Sequence, residues 1–122
     1  MKGEDLKKRT MELGIRVLRM ASPLPKDYAT QVFAHRIIRS SSSVGANYRS
    51  ACRSKSKKDF INKLKTVEEE LDETIYWLEL IIQAGCMPEV KLKPLMNECH
   101  EVLAIMVSSL RTVRSGVRKE DS

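Results

Sequence analysis

The side chains best suited to ligate a metal or act as a nucleophile in this chain are His35, His100, Cys52, Cys86 and Cys99. Neither histidine has a His or Cys three or four residues away, the spacing that would put two ligands on one helical face. Cys99 adjoins His100, but neighbouring helical residues point about 100° apart, so one ion cannot readily use both. The pattern predicts surface histidines and no metal site. Glu68, Glu69, Glu70, Asp72 and Glu73 form an acidic cluster. A di-iron bundle also requires Glu-x-x-His pairs, and the sequence has none. Ser40, Ser41, Ser42 and Ser43 lack a positioned base, without which a serine hydroxyl is a poor nucleophile. There is no Gly-rich phosphate loop and no Gly-x-Ser-x-Gly elbow. The expectation is a non-enzyme with no catalytic residue, no cofactor and no small-molecule substrate. What remains is charge. Arg49, Arg53, Lys55, Lys57 and Lys58 crowd one short segment and could hold phosphate electrostatically, with an ordinary solvated turn as the alternative.

That charge has a pattern. The net value is +6 over 122 residues. Residues 1–26 carry seven bases against three acids and residues 27–55 five against one, whereas residues 56–86 carry four against seven. A basic first half and an acidic third quarter can attract each other within the fold, leaving a mild preference for polyanions. Three cysteines cannot all pair within one chain and show no Cys-x-x-Cys spacing, which predicts reduced thiols. The N-terminus lacks the apolar core of a signal peptide and no apolar run approaches membrane-spanning length. A soluble, cytoplasmic protein that does not engage membranes is expected.

The elements that must position these residues are helical. With 42% hydrophobic residues but only 5 Gly and 4 Pro, the chain can build one core yet lacks the turns of a β-protein. Apolar residues recur every three or four positions in stretches of about 4–21, 27–53, 57–84 and 88–114, ahead of a polar tail, 115–122, expected to fray. Leu6, Leu13, Val17 and Met20 share one face of the first, and Met11, Ile15 and Leu18 a second. Ser22-Pro-Leu-Pro breaks that helix. In the second, Phe33, Ile37, Val44, Tyr48 and Ala51 form a stripe running through the serines. Gly45 opposes it by about 1 kcal/mol relative to alanine, so local propensity leaves this stretch balanced between helix and linker. If helical, Ser41 and Gly45 open a groove for a neighbouring backbone. Ser56 with Asp59 resembles a capping box at the third helix, Gly85 suits a left-handed cap at its end, and Pro88 fits the first turn of the fourth. Short connections predict an all-α, antiparallel, up-down-up-down four-helix bundle forming a single domain over residues 1–122.

Two features reach beyond a lone bundle. Residues 75–82 and 102–107 are apolar nearly all round, so surplus apolar surface near Trp77 and Ile105 is expected to need a cover from self-association. If the second and third helices fold back around residues 53–56, Arg36 should lie near Glu73, and Arg39 near Glu69 or Glu70, as register-fixing ion pairs.

Ser43-Val-Gly-Ala-Asn-Tyr-Arg49, Ser56-Lys-Lys-Asp-Phe60 with Lys63-Leu64, and Glu70-x-x-Glu73-Thr-x-Tyr-Trp-Leu78 together resemble the small bacterial four-helix-bundle family encoded in ribosomal RNA intervening sequences, often labelled a ribosomal protein. Gly45, Asn47, Asp59, Phe60, Glu70, Glu73 and Trp77 carry the likeness, which extends over nearly the whole chain. Ser50 departs from it, standing where the family pattern has glutamate. The resemblance implies that the serine stretch is helical, that the protein forms a homopentameric ring, and that it has no agreed catalytic residues. A related accessory protein of diversity-generating retroelements works with a reverse transcriptase and binds nucleic acid through a basic surface. The expected function is therefore that of a self-associating bundle whose basic surface binds RNA or DNA. The alternative is a protein-interaction scaffold with no nucleic-acid role.

Overall fold

The computed structural model describes residues 2–121, with side chains described over 3–116. Its helices are α1 (Lys2–Ala21), α2 (Tyr28–Cys52), α3 (Lys57–Gln83) and α4 (Glu89–Asp121), and there is no strand among the described residues. Consecutive helices pack against each other and α4 returns lightly against α1, closing an up-down-up-down four-helix bundle.

Local chemistry sets each reversal. Leu24, 1% exposed between two prolines, anchors the first turn in the core. Asp27 then caps α2, its carboxylate accepting from the Thr30 amide at 3.1 Å. Ser56 caps α3 by accepting from the Asp59 amide at 3.1 Å. The Asp59 carboxylate turns to Lys63 at 3.4 Å. At the other end of α3, Gly85 takes φ +75°, the Gly85 amide donates to the Ile82 carbonyl and the Cys86 amide to that of Ile81, both at 3.0 Å. This is the Schellman motif, and it requires the left-handed backbone that glycine adopts without strain. Pro88 stands just before α4 rather than inside its first turn, and its carbonyl accepts from the Lys91 amide. Pro94 lies inside α4, where it has no amide to offer the Val90 carbonyl. The tail expected to fray from residue 115 continues α4 to Asp121, through Gly116; Ser122 lies outside the described residues.

α2 is unbroken through its serines, each hydroxyl finding a hydrogen-bond partner within the helix or on a neighbouring one. Ser41 donates to the Ile38 carbonyl at 3.3 Å and Ser42 to that of Arg39 at 3.0 Å. The Asn47 amide bonds both the hydroxyl and the carbonyl of Ser43 at 2.9 Å. Ser40 and Ser41, both buried, serve opposite neighbours. Ser40 Oγ meets Thr74 Oγ1 of α3 at 2.9 Å, while Ser41 lies against α1, its carbonyl next to Gly14. A Cβ on Gly45 would sit 3.3 Å from the Thr10 carbonyl oxygen of α1. Small residues thus bring α1 and α2 nearly backbone to backbone.

Leu13, Val17, Ile37, Val44, Val67, Leu71, Leu78, Ile81, Val102 and Met106 are all fully buried in the centre. Each contributes about 1.5–3 kcal/mol relative to exposure. The surplus apolar surface lies elsewhere than expected. Trp77 and Ile105 are packed against the core, whereas Met11, Ile15 and Leu18 of α1 are 53%, 39% and 56% exposed. The bundle has room to fold the all-round apolar stretches inward, but the second face of α1 points out.

The two glycines at the α1–α2 crossing are expected to respond oppositely. Gly45→Leu should cost about 1–3 kcal/mol through overpacking against α1. Gly14→Ala, whose Cβ would meet its nearest atoms at an ordinary 3.8 Å, should gain up to about 1 kcal/mol of helix propensity. Denaturant titrations at matched protein concentration distinguish them.

A pH effect is expected at the α2 cap. The Thr30 amide and hydroxyl hold the Asp27 carboxyl below its ordinary 3.8. With the folded value below the unfolded one, the cap's contribution is present above that pH and lost as pH falls through the folded value. Asp27→Asn should therefore flatten the stability profile below about pH 3.8, as thermal melts across the acid range would show.

Candidate nucleic-acid interface

The α2–α3 reversal gathers the five cations singled out in the sequence. Arg49 occupies the last turn of α2, Arg53 is its C-cap, Lys55 lies in the turn, and Lys57 and Lys58 open α3. All five are exposed. Arg49, Arg53, Lys55 and Lys58 form no ion pair among the described residues, so their charge is available to solvent. Lys57 has a protein partner. The α3 N-terminus adds a partial positive charge from its helix dipole.

Away from this corner, Arg9 and Arg39 are the cations that bridge helices through carboxylates. Arg39 Nη2 lies 3.0 Å from Glu70 Oε2 and 3.1 Å from Glu73 Oε2, joining α2 to α3. The Glu70 charge, then the bond to Glu73, raise its pKa further. The other Glu73 oxygen accepts from the Trp77 indole at 3.3 Å, and the Trp77 ring stacks on Phe33 with centroids 6.3 Å apart. Arg36, expected to pair with Glu73, is exposed and makes no ion pair among the described residues. Arg39, three residues further along α2, reaches Glu73 as well as Glu70. Fold-back counting gave approximate height along the helices but not which side of the seam a side chain approaches.

Sequence reasoning missed the second clamp. Arg9 of α1 grips Glu98 of α4 with both prongs, Nη2 to Oε1 at 2.7 Å and Nε to Oε2 at 3.2 Å. Nη2 also lies 3.1 Å from Glu101. These bonds, led by that to Glu98, raise the Arg9 pKa despite partial burial. Glu98 and Glu101, spaced three apart, were the available signal, but a pairing of the first and last helices becomes apparent only once the bundle closes. Phe60 packs on the core beside the α3 start, and Asn47 serves α2 internally.

The remaining reactive groups are dispersed. His35 on α2 and His100 on α4 are exposed, and no three His, Cys, Asp or Glu side chains converge as a metal site among the described residues. Cys52 is exposed, Cys86 half-buried with Sγ 3.9 Å from Thr30 Oγ1, and Cys99 buried. Burial pushes the Cys99 thiol up to about 12, keeping it protonated and inert. Burial, then the contact with Cys52, also raises the Tyr48 phenol. Among the described residues, no helix is long and apolar enough to cross a membrane.

Fold and surface together define a small all-helical bundle whose distinctive chemistry is a cationic corner. The model of the 23S rRNA-intervening sequence protein family matches residues 4–108, and the chain belongs to that family. A solved structure from Bacteroides thetaiotaomicron, described as a protein of unknown function from the S23 ribosomal protein family, is 32% identical with a TM-score of 0.84. The match covers 91% of this chain and 99% of that one. No curated protein matches the chain.

The clamp between α2 and α3 yields a direct comparison. Arg39→Ala should lower the melting temperature more than Arg36→Ala does. A double-mutant cycle should show coupling to Glu73 for Arg39 and none for Arg36; the reverse would move the clamp to Arg36.

Proposed function

We propose that this protein is a non-enzymatic, self-associating bundle, a homopentameric ring, that binds RNA through the basic corner of each copy. The observation that carries the RNA reading is the clustering of unpaired cations. Arg53, Lys55 and Lys58 stand exposed and unpaired within one helix reversal. Such a corner attracts phosphate without reading bases. The family description supplies an RNA context, a 23S rRNA intervening sequence. In a ring the corner would recur in every subunit, so modest contacts add through multivalency. Base identity matters little, because Tyr48, the aromatic nearest the cations in sequence, is buried and offers no stacking platform.

The alternative is a protein-interaction scaffold, favoured by the exposed apolar side chains of α1. Salt dependence separates the two. Fluorescence anisotropy with labelled single-stranded and duplex RNA, and with DNA of the same sequence, should show binding that weakens steeply with salt and tolerates sequence. Arg53→Glu, Lys55→Glu and Lys58→Glu combined should abolish it at moderate salt, with light scattering still giving about five times 13.9 kDa. Absence of wild-type binding even at low salt would reject the RNA reading in favour of the scaffold.

A further inference from the structure

Self-association needs two surfaces that fit, and the bundle carries an oppositely charged pair on different helices. Between α1 and α2 runs a groove of about 370 Å³ whose walls include Met11, Ile15, Leu18, Ile38 and Ala46. Its floor is the close crossing at Gly14 and Gly45, so the larger side chains stand proud on either side. No carboxylate lines it; its charged residues are Lys7, bonded to Glu4 at 3.0 Å, and the unpaired Arg49. An open apolar channel with a cationic end suits an occupant that offers an aromatic or apolar side chain with a carboxylate beside it.

α3 presents that combination. Glu69, Asp72, Tyr76 and Glu79 share one helical face by their spacing, and all four are exposed, Tyr76 at 54%. Their three carboxylates form no ion pair among the described residues, in contrast to Glu70 and Glu73 beside them, which Arg39 neutralises. The Tyr76 ring is braced edge-on against Trp77, with centroids 5.2 Å apart, so it is held in place on the surface.

We propose that the α1–α2 groove of one copy receives the α3 face of a second copy. Tyr76 enters among Met11, Ile15 and Leu18, and Arg49 meets the carboxylate on the flank nearest its end of the groove. This deepens the self-association reading and rests on it. Because groove and face are different surfaces, the contact is head-to-tail, the kind that closes rings when the rotation permits. Two grooves face to face would instead juxtapose surfaces that both lack acid.

Complementation tests this. Met11→Glu with Leu18→Glu makes a groove variant, and Asp72→Arg with Glu79→Arg makes a face variant; all four positions are exposed, so the fold should survive, as circular dichroism would verify. Each variant alone should scatter light as a 13.9 kDa monomer, and an equimolar mixture should associate again to at least twice that mass through the intact groove of one and the intact face of the other. Should the groove variant misfold, Arg49→Glu, a surface change, should still raise the dissociation constant of the assembly about tenfold or more at low salt. A face variant that assembles like the wild type would overturn the α3 assignment, as would two monomeric variants that fail to combine. In both cases the wild type remains an assembly and the self-association reading stands. A wild type that is itself monomeric would remove that reading and this inference together.

Discussion

The close crossing of α1 and α2 is the constraint on which the rest of the molecule depends. A Cβ at position 45 would come within 3.3 Å of the Thr10 carbonyl oxygen, so even a methyl there would press on the α1 backbone. With side chains absent at the crossing, the helices approach until backbone meets backbone, and α2 can lie close to α1 and α3 at once. The helix tolerates the low propensity of glycine and serine because tertiary packing outweighs about 1 kcal/mol per glycine. The same crossing leaves a groove, since residues too large for the contact stand on either side of it.

The polar groups divide by burial into distinct tasks. Ser40 and Thr74, both 0% exposed, satisfy each other across α2 and α3, and thereby disfavour any register that would separate them. At the periphery, Arg9 and Arg39 each hold two carboxylates, one clamp closing α1 on α4 and the other fastening α2 to α3. Hydrophobic burial supplies most of the stability, and these bonds select which helix faces meet.

Charge left over from those clamps decides what the surface can do. The basic excess of the first half and the acidic excess of α3 do not cancel inside one copy. Arg39 neutralises one acidic side of α3, leaving Glu69, Asp72 and Glu79 exposed, while Arg49, Arg53, Lys55 and Lys58 remain unpaired at the corner. A surface with separated unpaired charges of both signs favours contacts between copies as well as with polyanions.

Much of the helical architecture was legible in the sequence, because helical period, proline, glycine and capping residues act locally. Leu64, Val67 and Leu71 declared a buried stripe, and Ser56 and Gly85 its ends. The cationic residues of the corner could also be named, since they cluster in sequence. The serine stretch was not decided by its own propensity, which is balanced. It became helix because Ser40 found Thr74 and Gly45 found α1. Arg39 rather than Arg36 as the clamp, Arg9 with Glu98, and the outward face at Met11, Ile15 and Leu18 likewise depend on how helices rotate about their axes. Spacing along a chain fixes which residues share a face, but the direction in which that face points is set only when the neighbouring helices compete to bury it.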